Sequence, residues 1–330
     1  MSDRPNVLVT RPIMEEPTRV LRERCDATIH ENEFGIPREE LLEVVRGRDA
    51  IITMLTERVD AELLEAAGAQ LKIVANHAVG FDNIDVAACT AAGVLATNTP
   101  DVLTETTADT AFALLMAAAR RVGEGERFLR ARTPWIWGPL MMLGQDVHHK
   151  TIGIVGFGRI GQAVARRARG FGMRVRYSDA VQLPPEVEAE TDAERRELDD
   201  LLAEADFISV HVNLTPDTRH LFDARAFRRM KPTAVLVNTS RGPVVDESAL
   251  ADALEAGDLF AAGLDVFERE PAVEERLLGL ENVVVIPHLG SATVDTRDAM
   301  GMLAVRNVFA ALDGERPPTL LNPEALQTAG

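Results

Sequence analysis

Three residues in the C-terminal half have side chains suited to moving a proton and gripping an acid. They are Arg241 in "NTSRG", Glu270 in "LDVFEREP" and His288 in "IPHLGSAT". An arginine offers a planar, two-pronged grip on a carboxylate and can polarise the carbonyl beside it. A histidine titrates where it can hand a proton to a forming hydroxyl. A carboxylate next to that histidine would orient the ring and favour its protonated form. Together the three suit hydride transfer to a 2-keto acid. Taken singly each has a plainer reading, since strand-end arginines and glutamates are commonly solvated and a lone histidine is more often structural. His211, at another strand end, is the rival proton donor. His77 borders a glycine loop, and His148 and His149 read as solvated loop residues.

Hydride chemistry needs a carrier, and "TIGIVGFGRIGQ" (151–162) has the form of a dinucleotide-binding turn. Gly156, Gly158 and Gly161 follow an apolar run and open a helical pattern. The first allows a tight turn, the second a close approach to a pyrophosphate, and the third close packing of helix on strand. Asp179 ends the next apolar run. A carboxylate there can bond an adenosine ribose and would repel a 2′-phosphate. No arginine follows in "DAVQLPP", which favours NAD over NADP. No HExxH, CxxC or Walker-type GK[ST] is present, so no metal is expected.

These residues need a scaffold that brings strand ends together. Apolar runs at 6–10, 50–55, 71–76 and 94–98 alternate with helical patterns near 15–24, 38–47, 60–67 and 84–92. That alternation predicts a parallel sheet covered by helices, and it has no glycine turn of its own. A capped, Ala/Leu-rich stretch over 99–132 reads as one long buried helix. The alternation restarts at 151, with runs at 174–179, 207–212, 234–240, 260–267 and 283–288. The acidic segment 184–206 reads as a solvated face ending in a helix. The fold class is therefore α/β with two doubly wound parallel-sheet domains. In open sheets of this kind ligands lie at the carboxyl ends of the strands, where Thr239, Ser240, Arg241, Asp265, Glu270 and His288 fall.

Bulk properties narrow the partners. A chain of 330 residues suggests two domains. A net charge of −17 argues against nucleic acid and anionic membranes. The N-terminal residues lack a signal-peptide pattern, and two cysteines, Cys25 and Cys89, are too few for a disulfide framework. The expectation is a cytoplasmic protein.

The segments "TIGIVGFGRIGQAVARRARGFGMRV", "NTSRGPVVDESALADALEAGDL", "AAGLDVFEREP" and "PHLGSAT", occurring in this order, resemble the D-isomer-specific 2-hydroxyacid dehydrogenases. The likeness extends to "HAVGFDNIDVAACTAAGV" and "NTPDVLTETTADTAFALLMAAARR". Within the family, "TPDVLTETTAD" and "WGPLMMLGQ" are most similar to the glyoxylate/hydroxypyruvate reductases. The resemblance implies that a Rossmann NAD-binding domain is inserted into a flavodoxin-like substrate domain. Residues 1–98 would begin the substrate domain, 99–289 would form the NAD-binding domain with a crossover helix and a dimerisation loop, and 290–330 would return to the first. The active site would then lie in the cleft between the halves. It implies the triad Arg241, Glu270 and His288. It places cofactor contacts at Gly156, Gly158, Arg159, Ile160, Gly161, Asp179, Val212, Thr239, Ser240 and Asp265, with Thr107 and Gly290 beside them. Val79 and Gly80 would offer N–H groups to the substrate carboxylate, and Met54 and Leu55 would touch its tail.

The loop "TPWIWGPLMML" is unusually apolar and has no core of its own to fill, which predicts an interface. By the resemblance, the chain is a homodimer and Trp137 reaches the partner subunit's substrate pocket. Other members remain alternatives: D-3-phosphoglycerate or D-lactate types, and phosphite dehydrogenases, although these carry lysine where Val79 stands. Formate dehydrogenases pair their histidine with glutamine rather than a glutamate such as Glu270. An NAD-sensing co-repressor is the non-enzymatic alternative, and turnover of NADH with hydroxypyruvate would separate the two.

Overall fold

The computed structural model describes residues 4–327. The chain forms two compact units, one from the residues up to Leu103 with those from Ala292 onward, the other Thr104–Ser291. The sequence reading placed the joins at 98/99 and 289/290, a few residues earlier.

The first unit runs β1 (Asn6–Val9), α1 (Glu15–Arg24), β2 (Asp26–Ile29), α2 (Arg38–Val44), β3 (Ala50–Thr53), α3 (Ala61–Ala67), β4 (Ile73–Asn76), α4 (Val86–Ala91) and β5 (Leu95–Thr97). The five strands are parallel in the order β2-β1-β3-β4-β5, the flavodoxin-like order. β3 and β4 are buried along their whole length, because helices cover both faces. Asp60 and Asp85 start α3 and α4 by accepting the N–H of Leu63 and Ala88. A helix over Val294–Leu312 returns to this unit. Its Ala304, Val305 and Val308 pack with Val7, Val9, Ile52 and Ile73. The Asn322 side chain then accepts Ala96 N–H and donates to the Val94 carbonyl, which ties the tail to β5. β2 escapes the sequence reading because it is a short edge strand with no buried residue.

The second unit runs α5 (Thr104–Ala119), α6 (Val122–Arg130), β6 (Thr151–Val155), α7 (Arg159–Gly170), β7 (Arg174–Ser178), α8 (Pro185–Thr191), β8 (Ala193–Arg195), α9 (Leu198–Glu204), β9 (Phe207–Val210), α10 (Ala224–Arg229), β10 (Val235–Asn238), α11 (Glu247–Ala256), β11 (Ala261–Leu264), α12 (Glu275–Gly279) and β12 (Val283–Val285). Its parallel sheet has the order β12-β11-β10-β9-β6-β7-β8. The order reverses between β6 and β9, and such a switch point opens a ligand crevice at the carboxyl ends of the strands.

Two local expectations are corrected. The stretch 99–132 is two helices, not one. Arg121 adopts a left-handed conformation (φ 53°) between them and its guanidinium pairs with Glu124. Only the first is buried, since "VGEGERFLR" is polar, carries two glycines and buries none of its residues. The acidic segment 184–206 also contains a strand, β8, recruited to the sheet edge by backbone pairing with β7. Among the described residues no helix is long and apolar enough to cross a membrane.

Candidate active site

The glycine turn lies at the switch point. Gly156 has φ +90°, and a Cβ on it would stand 2.6 Å from the main chain of His211 and Val212 at the end of β9. A Cβ on Gly161 would meet the Gly156 carbonyl at 2.3 Å, so helix α7 can seat against the turn only with glycine there. Above Gly158 a Cβ would meet nothing within 4 Å, which leaves open space at the start of α7. Arg159 and Ile160 form the first turn of that helix, whose N-terminus favours anions. Nearby at the end of β10, the Thr239 hydroxyl is buried without a hydrogen-bond partner. An open cradle and an orphaned buried hydroxyl fit a dinucleotide.

Asp179 ends β7, with both carboxylate oxygens held by main-chain N–H groups: Phe157 at 2.7 Å and Val181 at 3.0 Å. The structure also brings a cation here that the sequence reading missed. Arg195, on β8, donates to the Asp179 carbonyl at 3.1 Å. It is 16 residues away in sequence and arrives only because β8 pairs with β7.

His288 and Glu270 meet as a pair. His288 Nδ1 lies 3.0 Å from Glu270 Oε2, and both side chains are about one-third exposed. Glu270 Oε1 accepts the N–H of Phe267 at 3.0 Å. Burial pushes the Glu270 carboxyl up, but the His288 hydrogen bond and charge, the Phe267 N–H and the Arg241 charge outweigh it. The net result lies below the usual carboxylate value. His288 itself has φ 54°, a left-handed conformation that costs a non-glycine residue roughly 1–2 kcal/mol. Its N–H donates to the Asp265 carbonyl at 2.8 Å. The Asp265 carboxylate accepts the N–H groups of Leu289 and Gly290. Asp265 thus shapes the His288 turn, and burial raises its carboxyl. Thr107, on α5, lies against Gly290.

Arg241 is presented by a turn built on buried Asn238. The Asn238 side-chain oxygen accepts the N–H and hydroxyl of Ser240, and its amide donates to the Arg241 carbonyl. Asn238 lies inside the "NTSRG" motif, and its letter alone carries no sign of this role. Gly242 follows at the tightest approach in the unit, since a Cβ there would fall 1.8 Å from the Phe267 carbonyl carbon. The Arg241 turn and the segment bearing Glu270 are therefore in direct contact.

The rival histidine has different surroundings. His211 is partly buried and its Nε2 lies 2.7 Å from the Ser209 hydroxyl. Burial pushes its ring down to about 3, so it stays neutral at pH 7. His77, in the first unit, is also buried. Desolvation, followed by the Arg297 charge, lowers it to about 4.

The first unit holds its own shaped turn after β4. Asn76 donates to the Gly80 carbonyl at 2.9 Å and Asn98 to the Val79 carbonyl at 2.8 Å. The N–H groups of Val79 and Gly80 donate to no protein acceptor among the described residues. After β3, the Met54 N–H is taken by buried Glu57 at 2.6 Å, and Asn83 donates to the Met54 carbonyl at 3.0 Å. Met54 and Leu55 remain half-buried. Glu57 and Asn76 carry no motif signal of their own, and Asn83 lies in the "HAVGFDNIDVAACTAAGV" segment without a role assigned to it.

The family model for the NAD binding domain of D-isomer specific 2-hydroxyacid dehydrogenases matches residues 112–290. The chain belongs to this family. It is 53% identical to a glyoxylate reductase of Thermococcus onnurineus over 327 residues, covering 98% of this chain and 97% of that protein. A solved glyoxylate reductase of Paecilomyes thermophila superposes with TM-score 0.87 at 34% identity, covering 98% and 99% of the two chains. An NADPH-dependent glyoxylate/hydroxypyruvate reductase of Sinorhizobium meliloti, solved with NADP and malonate, superposes with TM-score 0.83 at 33% identity, covering 98% of each. As a member of this family the chain is an oxidoreductase that uses a nicotinamide dinucleotide.

Proposed function

We propose that the protein reduces a small 2-keto acid, glyoxylate or hydroxypyruvate, to the D-2-hydroxy acid with NADH, and catalyses the reverse reaction. The observation that carries this reading is the Glu270–His288 pair, at 3.0 Å, in the same unit as the glycine turn. The names of the glyoxylate reductase relatives support the choice of substrate. When bound, the nicotinamide supplies the hydride. Arg241 grips the keto acid and draws electron density toward the carbonyl oxygen. His288 donates the proton to that oxygen, and ionised Glu270 holds the ring and stabilises its protonated form. The unclaimed N–H groups of Val79 and Gly80 receive a carboxylate, with Met54 and Leu55 against the tail. Gly156, Gly158, Arg159, Ile160 and Gly161 cradle the pyrophosphate, Asp179 bonds the adenosine ribose, and Val212, Thr239, Ser240, Asp265, Thr107 and Gly290 surround the rest.

Two finer points belong to the same proposal. NAD is preferred over NADP because Asp179 faces the position of a 2′-phosphate. The protein acts as a homodimer in the cytoplasm, with Trp137 of one copy serving the site of the other. The loop carrying Trp137 supports this, since Ile136 is 89% exposed, Trp137 76% and Leu140 80%. A contiguous run of solvent-facing apolar side chains marks an interaction surface.

The test is NADH oxidation followed by absorbance with a panel of 2-keto acids. Glyoxylate and hydroxypyruvate should give the highest kcat/KM. Binding of NADH without turnover of any keto acid would point instead to a nucleotide-sensing protein.

A further inference from the structure

Glu247 is almost fully buried, yet it stands at the first position of α11, where glutamates are ordinarily solvated. Its neighbour Asp246 caps the helix by accepting the N–H of Ala249 at 3.0 Å. The Glu247 carboxylate is therefore not needed for capping, and both its oxygens turn away from their own helix. Oε1 accepts the N–H of Glu268 at 2.6 Å and Oε2 accepts the N–H of Glu274 at 3.2 Å. Those two N–H groups flank Glu270 on either side. One side chain thus pins both ends of the segment that carries the partner of His288. Burial raises the Glu247 carboxyl. The two N–H bonds oppose that shift, and the charges of Glu268 and Glu274 add to it. A desolvated carboxylate is costly unless its hydrogen bonds are well used.

The surroundings point the same way. Gly242, five residues upstream of Glu247, rests directly on the main chain of Phe267 and Glu268. His220 pairs with the Glu268 side chain, and the His220 N–H donates to the Pro243 carbonyl. The stretch 241–247 therefore presents Arg241 and at the same time grips the segment presenting Glu270.

We infer that Glu247 is a positioning residue for the proton-transfer pair: by holding the N–H groups of Glu268 and Glu274 it sets the Glu270 carboxylate against His288 Nδ1. The inference rests on the role proposed above for that pair. A helix-stabilising glutamate would lower the melting temperature when removed and leave the pair untouched. A positioning glutamate must change how His288 titrates.

The experiment follows the His288 ring by NMR on protein labelled at the imidazole carbon, assigned with His288→Ala. This readout needs no substrate, so it stands even if the keto acid is misassigned. The Glu247→Ala substitution should move the His288 titration midpoint to lower pH, in the same sense as Glu270→Gln. It should lower kcat about 10–100-fold, the scale expected for a small misplacement of a reacting group, while KM for NADH stays unchanged. In a Glu270→Gln background it should add no further shift, because there is no carboxylate left to place. Glu247→Gln keeps one acceptor and turns a donor toward the other N–H. It should shift the midpoint in the same direction and by less, and it decides the matter if the alanine variant does not fold. The inference is overturned if the variants melt earlier but leave the His288 midpoint where it was. It is equally overturned if the shifts from Glu247 and Glu270 add in full.

Discussion

Exchanging NADH for NADPH adds a 2′-phosphate to the adenosine ribose, and Asp179 should oppose it by an amount that can be worked from its setting. Both oxygens are tethered, to Phe157 N–H at 2.7 Å and Val181 N–H at 3.0 Å, so the carboxylate cannot swing aside without breaking two bonds. At a separation of about 5 Å and an effective dielectric of about 40, two unit charges repel by about 2 kcal/mol. Asp179 is only half-buried, so salt removes part of this. Arg195, bonded to the Asp179 carbonyl at 3.1 Å, returns some attraction to a phosphate. The balance is a preference for NADH of roughly 1–2 kcal/mol, or about 5- to 30-fold in kcat/KM. Initial rates of glyoxylate reduction with each cofactor, at low and high salt, measure it. The preference should shrink as salt rises. Asp179→Asn should lose most of it and Arg195→Ala should widen it. A wild-type enzyme that uses NADPH as well as NADH, or an Asp179→Asn variant with an unchanged ratio, would refute the argument.

Four further outcomes are expected. His288→Ala should lose about 10²–10⁴-fold in kcat, whereas His211→Ala should be far milder, because His211 is held neutral by burial and cannot supply a proton; a reversed ranking in single-turnover rates would mean the wrong histidine has been chosen. Glu270 lies below the usual carboxylate value and is ionised at neutral pH, so Glu270→Gln should pull the basic limb of the reduction pH profile to lower pH as the imidazolium loses its partner; an unmoved limb contradicts the pair. Trp137→Ala should raise KM for the keto acid and spare NADH affinity, and a fully active monomer by light scattering would exclude a role in trans. His77 titrates near 4 when folded and near 6.5 when unfolded, so its contribution of about 3 kcal/mol is complete above pH 6.5 and is lost as pH falls toward 4. Denaturant titrations should show about one fewer proton taken up on unfolding at pH 5 in His77→Gln than in wild type, and equal uptake would show that His77 is not the group responsible.

Some of this was readable from contiguous stretches of sequence. The glycine turn and Asp179 are separated by one helix and one strand, and Gly156 and Gly161 answer local steric demands that no other residue meets. The alternation of apolar runs and helical patterns reports which backbone is buried on both faces, and so the doubly wound sheets. The motifs around Arg241, Glu270 and His288 are short and ordered along the chain, which made the family recognisable. Tertiary structure decided what depends on neighbours distant in sequence. His211 and His288 both follow strands and look alike as letters, but one ring meets the Ser209 hydroxyl and the other meets Glu270, and only those partners tell the proposed proton donor from its rival. Arg195 reaches Asp179 through an edge strand whose residues, "AER", carry no strand signal of their own. Glu247 reads as an ordinary helix-start glutamate until its oxygens are found on the N–H groups beside Glu270. Propensity and periodicity are local, whereas the burial of a charge and the partner of a hydrogen bond are set by the whole chain.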